Sequence, residues 1–112
     1  MNFLLPQKKY ANQTVLNPDG TSYSYDENGY INVQYDKNGR EILIVDRNPD
    51  NSVYYYIEYK LDANGNKTSE IKRKSDGSVD YYIDYVYNKK GEVAAQIYRN
   101  SDGTMSDVTY IN

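Results

Sequence analysis

Residues 48–73, NPDNSVYYYIEYKLDANGNKTSEIKR, align without a gap on residues 74–99, KSDGSVDYYIDYVYNKKGEVAAQIYR. The turn residues keep one period, since Asn51, Gly77 and Gly103 are separated by 77 − 51 = 26 and 103 − 77 = 26 positions. Upstream, residues 35–47 match the second half of this unit, and a variant unit opens at Asn17. A 26-residue repeat therefore organises nearly all of the chain after about residue 10.

Short polar tetrapeptides, most of them ending in glycine, separate the apolar runs: NPDG, DENG, DKNG, NPDN, DANG, KSDG, NKKG and NSDG. This composition is typical of a three-residue hairpin loop, in which a left-handed residue follows a type I turn. Asn51 replaces the glycine in one loop, and asparagine is the next best residue for positive φ. The sequence therefore predicts a series of β-hairpins.

The predicted fold class is all-β, an antiparallel meander of tandem β-hairpins that forms a curled single sheet or a small up-and-down barrel. Residues 10–112 are expected to form one β-hairpin domain. Residues 1–9 are a separate N-terminal segment, whose Phe3-Leu4-Leu5 run is a candidate lid for the apolar face. Nine strands are expected near residues 10–16, 21–26, 30–36, 40–47, 52–62, 66–74, 78–88, 92–100 and 105–112.

The loop length also predicts a register, because the residue before each loop pairs with the residue four positions later. Odd-numbered residues should then lie opposite odd-numbered residues in every hairpin. This rule pairs Val33 with Leu43, Ile71 with Tyr81 and Ile83 with Ile97, so that apolar residues meet. It predicts one apolar face and one polar face for the whole sheet.

The composition excludes most catalytic chemistry. The chain has no cysteine and no histidine, so it holds no thiol or imidazole for acid–base catalysis, for nucleophilic catalysis or for an ordinary zinc site. The net charge of −3, with acids and bases interleaved, argues against a nucleic-acid surface. We therefore expect a protein that is not an enzyme, has no catalytic residues, and needs no cofactor and no metal.

The first ten residues, MNFLLPQKKY, contain a short apolar run broken by Pro6. This run is shorter than a signal-peptide core or a membrane span. We expect a soluble chain without membrane insertion, although the removal of a leader would leave a secreted or cell-surface location open. The abundance of Tyr, Asn, Lys and Ile is typical of AT-rich bacterial genomes.

Residues 61–92 resemble the Rhs/YD-repeat family, whose units alternate a Tyr-Asp-x-x-Gly turn with an Asp-Gly turn. Residues 25–29, YDENG, and 35–39, YDKNG, carry that motif literally. The resemblance implies tandem hairpins in a curved β scaffold without catalytic residues. The chain departs from the family in its longer unit and in Leu61-Asp62 and Tyr87-Asn88, which replace Tyr-Asp. Short bacterial tandem-hairpin families are similar as well, so only the architecture is carried over.

The even-numbered face carries the first candidate binding surface, which is a candidate for a protein or glycan partner because tyrosine combines contact area with a polar tip. In the predicted register, Tyr82 lies opposite Tyr98. The same residues are also explained by ordinary cross-strand pairing that stiffens the sheet. The members of this tyrosine-rich set are Ile42, Ile44, Tyr54, Tyr56, Tyr82 and Tyr98.

Arg47, Arg73 and Arg99 recur at the period of the repeat and form a second candidate site, for an anion or a carboxylate. The structural alternative is that each guanidinium lies over a tyrosine ring at the rim of the core. The carboxylates of the turns are explained by Asx-turn hydrogen bonds to the backbone and not by calcium binding.

The sequence is compatible with three functions. The first is a non-catalytic bacterial interaction module that binds a protein partner through its tyrosine-rich face or an edge strand, with homodimerisation through a sheet face or edge strands as one form. The second is a structural fragment of a secreted or surface repeat array. The third is a small-ligand-binding β-barrel, which requires the first and last strands to close a ring.

Overall fold

The computed structural model describes residues 5–111. A short 3₁₀ helix, Lys8–Tyr10, precedes the strands and occupies part of the range predicted for the first strand. No α-helix occurs in this described range. The nine strands are β1 Thr14–Leu16, β2 Ser22–Tyr25, β3 Ile31–Tyr35, β4 Glu41–Arg47, β5 Val53–Leu61, β6 Lys67–Lys74, β7 Val79–Tyr87, β8 Val93–Asn100 and β9 Met105–Tyr110.

All nine strands belong to one sheet, and each is hydrogen-bonded to its neighbour in the sequence. The predicted fold class, an all-β antiparallel meander, is therefore confirmed. The strand order is linear, with β1 and β9 at its two ends. A closed barrel would make these two strands neighbours, so the small-barrel alternative is wrong.

The internal contacts divide the chain into two compact units, Met1–Tyr56 and Ile57–Asn112. The division falls inside β5. The first unit contains the N-terminal segment and β1 to β4, and the second contains β6 to β9.

The loops have the predicted geometry. The residue before each three-residue loop makes two backbone hydrogen bonds across it. Asp36 donates its N–H to the Arg40 carbonyl (2.9 Å), and its own carbonyl accepts a hydrogen bond from the Gly39 N–H (3.0 Å). The third loop residue has positive φ, which is 79° at Gly39 and 72° at Asn51. The sequence thus identified the loop type and its asparagine variant correctly.

The predicted register holds throughout the β1–β2 hairpin, where Val15 pairs with Tyr23, but in five other hairpins it holds only next to the loop. Arg73 pairs with Val79 as expected, but the next pair is Lys72 with Tyr81, so Asp80 is an extra residue. The same one-residue shift follows the loop in the β2–β3, β3–β4, β7–β8 and β8–β9 hairpins. Beyond this shift, odd residues lie opposite even ones. The parity rule is therefore wrong for these hairpins, because a β-bulge adds one residue to the second strand.

The bulges distribute the buried residues over both faces of the sheet. Ile71 lies opposite Tyr82 and Ile83 is the next residue in β7, so Ile71 and Ile83 point to opposite faces. The predicted single apolar face is thus wrong for this unit. The buried apolar residues are nevertheless all odd-numbered: Ile31, Val45, Val53, Ile71, Ile83 and Ala95. Within residues 5–111, no side chain is completely buried, as expected for a core divided between two faces.

The N-terminal segment packs against the loop between β2 and β3. Gln7 donates its N–H to the Gly29 carbonyl (2.7 Å), and the Tyr10 and Tyr25 rings lie 5.3 Å apart. Gly29 is buried by this contact. Leu5 is exposed, whereas Phe3 and Leu4, which also belong to the predicted lid, lie outside the described residues.

Candidate binding surfaces

The three arginines at the period of the repeat make one shared contact. Arg47, Arg73 and Arg99 each donate from Nη1 to the carbonyl of the left-handed loop residue four positions later, at 2.9, 3.1 and 3.2 Å. The β-hairpin places each arginine at the end of a strand, facing the loop that follows. Arg73 lies opposite Val79 and Arg99 opposite Met105, as predicted.

Arg73 and Arg99 also bind carboxylates of the neighbouring strand. Arg73 Nε and Nη2 donate to Glu58 Oε1, both at 3.1 Å, and Arg99 Nε donates to Asp84 Oδ2 at 2.7 Å. In both pairs the acid precedes the arginine by 15 residues. These pairs had not been predicted, although the recurrence of an acid 15 residues before an arginine was a readable signal.

Asp84 has a second hydrogen-bond donor besides Arg99. Its Oδ1 also accepts a hydrogen bond of 2.6 Å from the Ser69 hydroxyl. Burial raises the pKa of Asp84, but the Ser69 hydrogen bond and Arg99 together lower it more strongly, so the pKa lies below its ordinary value. The carboxylate is therefore charged and bound at neutral pH.

Arg47 has a different environment, because Asn32 stands 15 residues before it. Its Nη2 donates to the Ile31 carbonyl at 3.0 Å, and its guanidinium lies 4.7 Å from the centre of the Tyr30 ring. The Asn32 Oδ1 is buried without a hydrogen-bond partner in the described structure. The tyrosine contact is the structural alternative that the sequence offered for these arginines, here with Tyr30.

These contacts bear on the predicted anion site. Each of the three guanidinium groups already binds a loop carbonyl, and two of them also bind a carboxylate. An external anion would compete with these internal acceptors. Each arginine thus connects its loop to the sheet. The anion site stays a prediction.

The tyrosine-rich set is not one continuous surface in the second unit. Tyr82 lies opposite Arg99, and Tyr98 lies opposite Ile83, so Tyr82 and Tyr98 point to opposite faces of the sheet. The predicted Tyr82–Tyr98 pair is therefore wrong, because the bulge after the loop shifts β8 by one residue.

The members of this set in the first unit differ in exposure. Tyr54 is 62% exposed, with its ring 5.2 Å from that of Tyr55, whereas Ile42, Ile44 and Tyr56 are half-buried. Ile44 lies opposite Val33, and Ile42 is the extra residue of its bulge. The side chains of the set thus offer less accessible area than the sequence suggested.

The outer edge of β9 presents a different kind of surface. Met105 and Tyr110 are 61% and 79% exposed, and Ile111, which follows the strand, is 42% exposed. The strand pairs with β8 on one side and ends the strand order of the sheet on the other. The sequence had indicated that free edges would exist. Of the two end strands in the described range, β9 has six residues and β1 has three, so β9 offers the longer edge.

The outward backbone groups of β9 follow from its hydrogen bonds to β8. Ile111 donates its N–H to the Ala94 carbonyl at 2.8 Å, and successive N–H groups of a strand alternate in direction. The N–H groups of Val108 and Tyr110 therefore point away from β8. Consistent with this direction, the Val108 N–H is bound by the Asp107 carboxylate at 2.8 Å and not by β8.

The carboxylates at the turns bind their own loops. The hydroxyl and backbone N–H of Ser52, Ser78 and Thr104 donate to Asp50, Asp76 and Asp102, and these hydrogen bonds lower the pKa of each acid. In residues 5–111, no three acidic side chains come together in a group that could hold a metal ion. The same range contains no helix with the length and apolar character needed to cross a membrane.

Comparison with known families and proteins gives no further assignment: no family model matches the chain, and no curated protein matches it significantly. The similarity to YD-repeat proteins therefore stays a prediction.

Proposed function

We propose that this protein is a non-catalytic binding module that accepts an extended strand of a protein partner at the outer edge of β9. The single observation that carries this proposal is the edge itself, which combines outward N–H groups at Val108 and Tyr110 with exposed apolar side chains. Such edges are templates for an additional antiparallel strand. Backbone hydrogen bonds would supply affinity, and the side chains beside them would supply selectivity.

The repeat indicates which strand fits this edge. Residues 105–110 stand 26 positions after residues 79–84 of β7, and β7 has β8 as its next neighbour. A peptide with the sequence of β8, VAAQIYRN, therefore has the side-chain pattern that the repeat places beside such a strand. By analogy with the Tyr82–Arg99 pair, the arginine of the peptide would lie opposite Val108.

The absence of catalysis belongs to the same proposal. It is supported by a sequence without histidine or cysteine. The turn carboxylates are held in Asx turns, and Asp84 and Glu58 are held by arginines. Groups that are held in this way have no open position for substrate chemistry.

The test is binding of a fluorescent VAAQIYRN peptide, measured by fluorescence anisotropy and by amide chemical shifts. We expect the shifts to concentrate at the Val108 and Tyr110 amides. Val108→Pro should abolish binding, because it removes an outward N–H without removing a hydrogen bond to β8. Val108→Thr is the matched control, since it keeps both the N–H and the β-branched shape, and it should bind normally.

A modified peptide tests the same point without altering the protein. A peptide methylated on its arginine amide nitrogen cannot donate to the edge and should not bind. Unchanged binding of this peptide, or unchanged binding by a folded Val108→Pro variant, would contradict the proposal.

A further inference from the structure

The apolar exposure of residues 5–111 is concentrated at the end of the sheet. Of the seven large hydrophobic side chains that are exposed, three lie on or directly after β9: Met105, Tyr110 and Ile111. The four others are scattered over the N-terminal segment, β1, β5 and β7. Exposed apolar side chains beside the outward backbone groups of an edge strand mark an interaction surface more strongly than scattered exposed residues do.

Backbone geometry restricts how β9 can pair with a copy of itself. In an antiparallel pair, residues that exchange hydrogen bonds must both have outward groups. Val108 and Tyr110 meet this condition, so Val108 can lie opposite Val108 of a second copy, or opposite its Tyr110. The resulting two-fold axis is perpendicular to the sheet and makes the contact the same for both copies.

Charge and side-chain chemistry favour the first of these registers. With Val108 opposite Val108, Asp107 lies opposite the second copy's Thr109, whose hydroxyl can donate to the carboxylate. With Val108 opposite Tyr110, Asp107 would lie opposite an isoleucine. A slide in the other direction would place the two Asp107 carboxylates opposite each other, which is destabilising.

From this self-complementarity we propose that β9 pairs antiparallel with β9 of a second copy of the chain, in the register that places Val108 opposite Val108. The proposal rests on the proposed function, because it names the occupant of the same edge. The Asp107 side chain caps the Val108 N–H in the single chain. On pairing it releases this N–H to the second copy and accepts a hydrogen bond from the second copy's Thr109 hydroxyl.

The competition between the cap and the second copy has a measurable consequence. On pairing, the Val108 N–H loses its hydrogen bond to Asp107 and gains one to the second copy, so its number of hydrogen bonds does not change. We therefore expect a weak, reversible association that depends on protein concentration. Sedimentation velocity across a hundred-fold range of concentration should show a monomer that converts to a dimer. Val108→Thr should behave like the wild type, and Val108→Pro should remain monomeric at every concentration.

Disulfide trapping tests the register. The chain contains no cysteine, so introduced thiols report only on the designed contact. Residues 107 and 109 form a pair without hydrogen bonds, in which the Cα atoms lie about 4.5 Å apart, a distance that a disulfide spans. The experiment mixes Asp107→Cys chains with Thr109→Cys chains and uses oxidised glutathione as the oxidant. In each heterodimer the two introduced cysteines lie opposite each other and can form a disulfide. The other pair of these positions keeps its native Asp107–Thr109 contact.

We expect cross-linked dimer to form in the mixture at least five-fold faster than in either variant alone. Equal rates in all three samples would overturn the register, and a wild-type protein that stays monomeric would overturn the self-pairing. Binding of the VAAQIYRN peptide separates the two proposals. A monomer that binds the peptide leaves the edge function intact, whereas a monomer that does not bind it removes both.

Discussion

The Arg99–Asp84 ion pair offers the sharpest test of how the sheet is held together. Its side chains are 35% and 32% exposed, and a hydrogen bond of 2.7 Å joins Arg99 Nε to Asp84 Oδ2. Fully exposed pairs contribute roughly 0.2–1 kcal/mol, and breaking a buried pair costs about 3–5 kcal/mol. We therefore expect a coupling free energy of about 1.5 kcal/mol for this partly buried pair.

The perturbation is a double-mutant cycle of Asp84→Asn and Arg99→Gln. Asp84→Asn should lower the free energy of unfolding by about 1.5 kcal/mol, since it removes the charge and keeps an acceptor for the Ser69 hydroxyl. Arg99→Gln should cost about 2.5 kcal/mol, because it also removes the bond to the Gly103 carbonyl. The double variant should resemble Arg99→Gln alone, so the single effects should not add.

The assay is urea unfolding followed by circular dichroism and tyrosine fluorescence, for which the 15 tyrosines suffice in the absence of tryptophan. A pH series adds an independent check. The folded pKa of Asp84 lies below its ordinary value, so the stability contributed by its charge is present at neutral pH and is lost as pH falls through the folded pKa. The difference between wild type and Asp84→Asn should therefore disappear in acid. Additive single effects, or a difference between wild type and Asp84→Asn that does not shrink as the pH is lowered, would refute the reasoning.

Three further outcomes are expected from other parts of the chain. Asn32→Asp should raise the free energy of unfolding at pH 7 by roughly 1 kcal/mol, because it places a carboxylate 15 residues before Arg47, as in the two later pairs; lower stability at pH 7 would count against this analogy. Gly29→Ala should lower the temperature of thermal unfolding more than Gly39→Ala does. Both glycines have positive φ, but a Cβ at Gly29 would lie 2.7 Å from backbone atoms of the N-terminal segment, whereas nothing lies within 4 Å of a Cβ at Gly39. Equal losses of stability in the two variants would contradict this contact. Burial and Glu70 raise the pKa of Tyr85 to about 12, so its contribution to stability is lost as pH rises from about 10 to 12, and Tyr85→Phe should unfold less steeply in alkali than the wild type.

The candidate surfaces show how far sequence reasoning reached. It identified the three arginines as one recurring set, and the structure places all three in the same contact with a loop carbonyl. It did not identify Glu58 and Asp84 as partners. Their contacts depend on which strand faces they occupy, and the faces depend on a bulge that the loop sequence does not announce.

The predicted Tyr82–Tyr98 pair was wrong for the same reason. Tyr82 and Tyr98 are separated onto opposite faces by a shift of one residue between Tyr87–Val93 and Val86–Ala95. A one-residue shift moves every later side chain of a strand to the other face. A small error in register therefore separated two members of the predicted surface, although the strands themselves were placed within a few residues.

Local conformational preference explains what the sequence alone determined. Glycine or asparagine at positive φ, after a polar residue that accepts hydrogen bonds, specifies a hairpin loop within five residues, and eight such loops specify nine antiparallel strands. The positions of the bulges, the division of buried residues between two faces and the partners of the arginines were decided only in the tertiary structure. These features result from twist and side-chain packing between strands, and such forces act between residues that are distant in the sequence.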